Sequence, residues 1–464
     1  MVADETVPSA LELGNGTLKQ RHHQADPDAA NKDAGALFVL ESKGTWKHAG
    51  FHLSSSIAAP PLLTLPFAFV ALGWEYGVLM LVLGAAVTFY AYNLLSKVLE
   101  HLAEQGRRHL RFRDLATDVL GPTLSKWIVY PTQLVVCIGV VIASPLLGGI
   151  SIKIIYKLYA PDGDLKLYHF IIIFGIGLIF VGQMPSFHSL RYINFVSLVM
   201  TLCYSFTVSG ACIYLGKSDR APAKDYNLPG SETQKVFGAF NSLAIIATSY
   251  GNGIIPEIQA TLEPPVTGKM FKGLTVAYAV VISTFFTVAI SGYWAFGNSA
   301  AGSIFTNFLE ADGTPLVPKW LIVMPNVLCI IQLLSVSIIY CQPTFDLLEG
   351  KSADVEKGRF SARNWIPRLI LRTTFLCACT LIGAMFPFFG DVNAIIGAFG
   401  FTPLDFVFPM LFYILVFKPP KRSIKFWGNL ILLVAYTGVG VVGAIAAIRQ
   451  LVLDTSYYKL FADI

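Results

Sequence analysis

Two short stretches of this 464-residue chain carry backbone that a continuous apolar helix does not accommodate. The first reads Ser54-Ser55-Ser56-Ile57-Ala58-Ala59-Pro60-Pro61-Leu62-Leu63-Thr64-Leu65-Pro66-Phe67. A proline inside a helix lacks the N–H that would bond the carbonyl four residues earlier, so Pro60, Pro61 and Pro66 release the carbonyls of Ser56, Ile57 and Leu62. The second reads Ala247-Thr248-Ser249-Tyr250-Gly251-Asn252-Gly253-Ile254-Ile255-Pro256-Glu257. Its two glycines, asparagine and proline, crowded together, favour unwinding over a bend. An unsatisfied backbone group in hydrocarbon costs several kcal/mol, so such breaks are tolerated only where they face protein or a water-filled cavity. For the first stretch the alternative is a proline kink packed against a neighbouring helix.

The charge pattern of two such breaks suits a zwitterion. A half-helix starting near Pro61 turns its positive end to the membrane middle, where a carboxylate is received, and proline at the first helical position fits that start. Half-helices ending near Ile57 to Ala59 and near Thr248 to Tyr250 present carbonyls, which suit an ammonium group or a proton donor. An amino acid fits both ends. The candidate substrate-binding residues are therefore Ile57, Ala58, Ala59, Pro60, Pro61, Leu62 and Thr64 on one break and Thr248, Ser249, Tyr250, Gly251 and Asn252 on the other.

Two carboxylates are candidates for proton coupling or gating. Asp405 lies in Phe401-Thr402-Pro403-Leu404-Asp405-Phe406-Val407-Phe408-Pro409, inside an apolar run where an ionised group costs about 2.5 to 3.5 kcal/mol. It is read as a counter-ion for a substrate amine or as the carrier of a coupled proton, against a capping role for backbone freed by Pro403 and Pro409. Glu257 is read as a gate paired with Lys47 or Lys269, or as a solvated charge at a helix end. His48 and His52 flank the first apolar segment and titrate near neutrality if they relay protons; otherwise they are solvated interface residues. Gln133, Ser144, Asn241, Gln332, Ser335 and Gln342 are polar positions within apolar segments, most of them expected to bond between helices. Glu75, beside Trp74, reads as a surface charge.

The elements that position these residues are membrane helices. Only 14% of residues are charged and 54% are hydrophobic, against roughly 25% charged in a soluble domain, and apolar runs of about 20 residues recur along the chain. Eleven candidates run roughly over 50–71, 75–97, 127–152, 168–184, 191–215, 237–257, 272–296, 319–342, 367–388, 391–417 and 426–449. The ninth and tenth are parted only by Gly390 and Asp391, leaving a ten-span count open. The interruptions fall in spans one and six, which run in opposite directions. That points to two inverted five-helix repeats, about 43–215 and 237–417, with the site at their interface. The remaining parts are a polar tail, 1–42, expected to be disordered and to hold no signal peptide, and a last helix with a short C-terminus, 426–464.

Counting Lys and Arg in the loops orients the chain. With the N-terminus inside, the inner segments hold twenty and the outer ones ten, so the N-terminus is expected in the cytosol and the C-terminus outside. The sequon at Asn15 then lies on the inner side. The basic segment from Lys97 to Lys126 follows the same bias, with attraction to anionic lipid as the alternative. A net charge of +5 spread over short loops does not make a nucleic-acid surface. All seven cysteines lie in apolar stretches, so neither a disulfide framework nor a metal site is expected.

Several further motifs carry a resemblance. Leu65-Pro66-Phe67-Ala68, Leu72-Gly73-Trp74, Phe112-Arg113-Asp114-Leu115-Ala116, Glu257-Ile258-Gln259-Ala260-Thr261-Leu262 and Gly292-Tyr293-Trp294-Ala295-Phe296-Gly297, in this order and spacing, resemble the amino acid/auxin permease family of plants, and within it the GABA transporter branch. The resemblance implies an all-α polytopic protein of eleven helices on a LeuT-type fold with helices one and six broken, and proton-coupled symport of amino acids with no other cofactor. It also implies that spans three and eight face the broken helices, which brings Ser144, Gln332 and Ser335 into the candidate set. General permeases of the family carry a Gly-Ala-Gly-Val-Leu stretch where this chain has Ala58-Ala59-Pro60-Pro61-Leu62-Leu63. The prolines remove N–H donors that an α-amino acid carboxylate would use, so 4-aminobutyrate ranks above proline, betaine-like compounds and neutral α-amino acids.

Hydrolase and phosphate-binding motifs are absent from the sequence, as is any repeated pore loop. The expected partners are a small amino acid and the lipid bilayer, with no obligate protein partner, and the expected location is the plasma membrane.

Overall fold

The structure, a computed structural model, describes residues 44–183, 191–310, 312–350, 361–457 and 460–463. Helix α1, Trp46–Ile57, stops where the sequence places the first break. A tight 3-10 turn, Pro60–Thr64, leads into α2, Leu65–Glu104. Within α2 the chain turns at Gly73, whose φ of 68° and ψ of −174° lie where side chains are disfavoured and glycine is not. Helix α3, Phe112–Leu120, precedes α4, Pro122–Tyr159, then α5, Leu167–Gly182, and α6, Arg191–Gly216.

The second break parts α7, Glu232–Tyr250, from α8, Ile255–Ala260. Gly253 has φ of 64°, and Pro256 supplies no N–H, so the chain re-enters a helix without leaving that donor orphaned. Then come α9, Lys269–Phe296, α10, Lys319–Glu349, α11, Ala362–Met385, α12, Phe389–Phe417, and α13, Ile424–Tyr457.

Among the described residues, each of the eleven apolar segments read from the sequence falls largely on helix, the first and sixth being interrupted at the two breaks. Eight helices among the described residues are long and apolar enough to cross a membrane, Trp46–Glu104 counting as one. The divide between the ninth and tenth segments falls at Phe386 to Phe388, where Pro387 interrupts the run, while Gly390 and Asp391 are helical. The N-terminal tail with its sequon, Lys43, and residues 351–360 lie outside the described residues, as does the side chain of Arg191.

Helices α1, α2, α4, α7, α9, α10 and α12 share one apolar core that includes Leu53, Leu62, Phe69, Val141, Ile245, Phe285, Val336 and Phe401. Close helix approach is bought with glycine: a Cβ on Gly397 would stand 1.9 Å from the Ala244 carbonyl oxygen, which is how α12 comes against α7. At one end Phe69, Trp74, Tyr226 and Tyr293 form an aromatic cluster with centroid separations of 4.9 to 6.3 Å. At the Lys- and Arg-rich end, Asp346 on α10 takes ion pairs of 2.7 Å from both Arg111 and Arg113, and Glu349 pairs with Arg368 at 3.1 Å and with Arg372.

The basic cluster before α3 is therefore occupied within the protein. Arg107 and His109 meet Asp118, and Arg108 donates to the carbonyls of Ala260 and Leu262 at 3.3 and 3.0 Å.

Candidate functional site

A buried cavity of about 30 Å³ lies between the two breaks. That is room for about one water, so the cavity must widen to admit an amino acid. From the first break it is lined by Ile57, Ala59, Pro60 and Pro61, from the second by Thr248 and Gly251, and from α4 by Ser144. Those seven sequence candidates are brought together. Gly251 is a steric requirement, because a Cβ there would stand 2.2 Å from the Phe401 ring.

The other candidates hold the walls in place. Gln332 on α10 donates to the Ala58 carbonyl at 3.1 Å, as does Thr201 on α6, so Ala58 and Gln332 brace the break and do not line the cavity. Ser335 bonds back to Ile331 at 3.3 Å; α10 instead faces the cavity with Leu333, Val336 and Tyr340. Thr64 turns its hydroxyl to the Pro61 carbonyl at 2.6 Å, and Leu62 gives its N–H to Ala59 at 3.1 Å. Ser249 reaches the Pro61 carbonyl at 3.4 Å and joins the two breaks. Tyr250 donates to Leu81 at 2.8 Å while its carbonyl accepts from Tyr92 at 2.9 Å.

The carbonyls expected to be free at the first break are largely taken: that of Ile57 accepts from Ala59 at 2.8 Å and that of Leu62 from Leu65. The tight turn that prolines impose supplies these local partners.

Asp405 is fully buried and grips the second break. Its Oδ2 accepts the N–H of Asn252 at 2.9 Å and that of Gly253 at 3.1 Å, and its Oδ1 accepts Gly253 at 3.0 Å. It sits on a widened, π-type stretch, Gly397–Val407, the kind of helix defect that recurs at functional sites. The carboxylate thus caps backbone freed by the glycines of α7–α8, not backbone freed by Pro403 and Pro409, and it does not line the cavity. Asn252 completes the hub: its Nδ2 donates to Ser56 at 2.6 Å, its Oδ1 accepts Ile254 N–H at 3.1 Å, and its carbonyl accepts from Tyr340 at 2.8 Å.

Both readings of Glu257 need correction. It is neither solvated nor paired with lysine: the residue is 4% exposed, and its Oε1 accepts the Phe112 N–H at 3.0 Å and Gln133 Nε2 at 2.7 Å. Lys269 goes to the Glu263 carbonyl at 2.7 Å and Lys47 lies over Trp46. Glu257 thus caps the start of α3 and ties it to α4. His52 is buried as well, so it is not a solvated interface residue, while His48 accepts the Thr45 N–H at 3.1 Å.

Sequence reasoning missed Ser56, Tyr340, Phe401 and Asn393, all of which line the cavity. Asn393 follows Asp391 by two residues in a run whose inward face only packing reveals.

A bundle of apolar helices, two of them unwound around a small buried cavity, is the build of a secondary transporter. Residues 42–453 match the family of transmembrane amino acid transporter proteins, and the chain belongs to that family. Among its relatives, GABA transporter 1 of Arabidopsis thaliana is 55% identical over 433 residues, which cover 93% of this chain and 96% of the relative. Lysine histidine transporter-like 1 of the same plant is 30% identical, with 90% of each chain covered. The chain is a polytopic membrane transporter of amino acids and not an enzyme.

Proposed function

We propose that this protein imports 4-aminobutyrate together with protons across the plasma membrane by alternating access. The observation that carries the reading is the 55% identity, end to end, with a relative named GABA transporter 1. The Pro60-Pro61 turn supports it independently. Neither proline has an N–H to offer a carboxylate, and the neighbouring donors of Ala58, Ala59 and Leu62 are spent on Ser54, Ile57 and Ala59. An α-amino acid, which presents both charges at one carbon, loses more from that than a substrate whose charges are separated.

Breaks in the first and sixth apolar segments support a five-plus-five inverted repeat, with one repeat rocking against the other. The lysine and arginine count supports a cytosolic N-terminus and an extracellular C-terminus. On that orientation the aromatic cluster around Trp74 closes the outer side, and Asp346 with Arg111 and Arg113 closes the inner side.

Asp405 is the proposed proton carrier. Ionised, it receives charge-assisted hydrogen bonds from two backbone donors of the break, Asn252 N–H and a Gly253 N–H shared between its two oxygens; protonated, it receives neutral ones about half as strong. Proton occupancy and the grip on the break are thereby linked. Glu257, at the joint between α8 and α3, is the proposed transmitter to the inner gate.

The test is uptake of labelled 4-aminobutyrate, proline, alanine and a betaine into cells expressing the chain. Saturable 4-aminobutyrate uptake that the other compounds compete for only weakly supports the reading. Uptake of α-amino acids alone would overturn it in favour of a general permease.

A further inference from the structure

We propose that Asn393 on α12 is the side chain that binds the substrate carboxylate. The inference rests on the transport reading above and deepens it. A carboxylate is an acceptor only, so it needs donors, and the cavity is short of them. On the first break, Pro60 and Pro61 have none and the N–H groups of Ala58, Ala59 and Leu62 are committed. On the second, Gly251 donates to Thr248 at 3.2 Å, Asn252 and Gly253 donate to Asp405, and Ile254 donates to the Asn252 side chain.

The hydroxyls on the cavity wall are spent too. Ser56 donates to His52 at 2.8 Å, Ser144 to Val140 at 2.8 Å, Tyr340 to Asn252, and Thr248 to the backbone carbonyls of Ala244 and Asn393.

Asn393 differs from all of them. It is 0% exposed, it lines the cavity, and both its Nδ2 and its Oδ1 are without a hydrogen-bond partner among the described residues. A buried primary amide left unpaired is costly and rare; it is accounted for if a ligand supplies the partner. Acceptors, by contrast, are plentiful, because each carbonyl at the breaks has a second lone pair. An ammonium group therefore has several places to bind, whereas among the side chains on the cavity wall only the Asn393 amide nitrogen is left to donate to a carboxylate. The Thr248 hydroxyl on the Asn393 carbonyl couples this position directly to α7, so carboxylate binding at α12 is felt at the second break.

The experiment compares the full chain with Asn393→Ala, Asn393→Leu and Asn393→Asp, purified and reconstituted in liposomes, by the half-saturation concentration for 4-aminobutyrate at neutral pH. Loss of a hydrogen bond to a charged group predicts a rise of about 10- to 100-fold for Asn393→Ala. Asn393→Asp keeps the shape but replaces the donor with negative charge, and is expected to be worse than alanine. A packing role predicts instead that Asn393→Leu, which keeps the shape without a charge, stays near wild type while Asn393→Ala is impaired, whereas a donor role predicts that both are impaired; a near-wild-type Asn393→Leu, or no change in any variant, would overturn the assignment. A melting curve of each variant in detergent separates a folding defect from a binding defect. If the unaltered chain takes up no 4-aminobutyrate, the substrate reading fails instead, and the same proteins ranked on whichever amino acid is transported decide the role of Asn393.

Discussion

Replacing Asp405 by asparagine separates proton coupling from substrate binding. The carboxylate accepts Asn252 N–H at 2.9 Å and Gly253 N–H at 3.0 and 3.1 Å, and hydrogen bonds to a charged group contribute about 1.5 to 3 kcal/mol each against about 0.5 to 1.5 for neutral ones. The asparagine oxygen, placed at Oδ2, can keep both donors, each bond weakened by about 1 kcal/mol, while its NH₂ at the Oδ1 position offers the Gly253 N–H no acceptor. The grip on the break falls by about 2 kcal/mol, close to the change that a proton would bring. Asp405→Asn should therefore behave as a permanently protonated carrier. In liposomes it should still exchange labelled for unlabelled 4-aminobutyrate, with affinity within about threefold of the original because Asp405 does not line the cavity. It should not accumulate substrate when the outside is acidified. Accumulation driven by a pH gradient in this variant would refute the assignment of Asp405 as the coupling residue.

Three further outcomes follow from the packing. Gly251→Ala places a methyl 2.2 Å from the Phe401 ring, and overpacking of this kind costs about 1 to 3 kcal/mol; transport should fall while surface expression persists, and Phe401→Leu added to it should restore part of the uptake. Glu257→Gln keeps an oxygen for Phe112 N–H and Gln133 and should retain most uptake, whereas Glu257→Ala leaves both buried donors unpaired at about 1 to 3 kcal/mol each; equal uptake by the two variants would show that the cap on α3 is dispensable. Asp346→Asn removes the carboxylate that Arg111 and Arg113 share, and breaking a buried pair costs about 3 to 5 kcal/mol; the melting temperature in detergent should drop, and an unchanged value would show that the pair contributes no closure.

What could be read from the chain and what could not divide along physical lines. The two breaks were legible because proline and glycine act on their own backbone, needing no tertiary context: Pro60, Pro61, Gly251 and Gly253 interrupt helices where expected. Asp405 was legible because a charge inside an apolar run demands a partner, although which backbone it would hold was not. Glu257 was misread because a lysine nearby in sequence is an obvious partner, whereas its donors come from Phe112 and Gln133, more than a hundred residues away. Gln332 stands on the expected span but braces Ala58 from behind, since a single helix cannot reveal which of its faces meets the cavity. Asn393 was missed for the same reason: that its amide is buried, unpartnered and on the cavity wall is a property of the packed helices around it.

The most direct test of proton-coupled 4-aminobutyrate import is voltage clamp of cells expressing the chain, with external pH lowered and sodium replaced. Addition of 4-aminobutyrate should evoke an inward current that grows with acidity and survives removal of sodium. A current that vanishes with sodium, or one evoked by α-amino acids and not by 4-aminobutyrate, would contradict it.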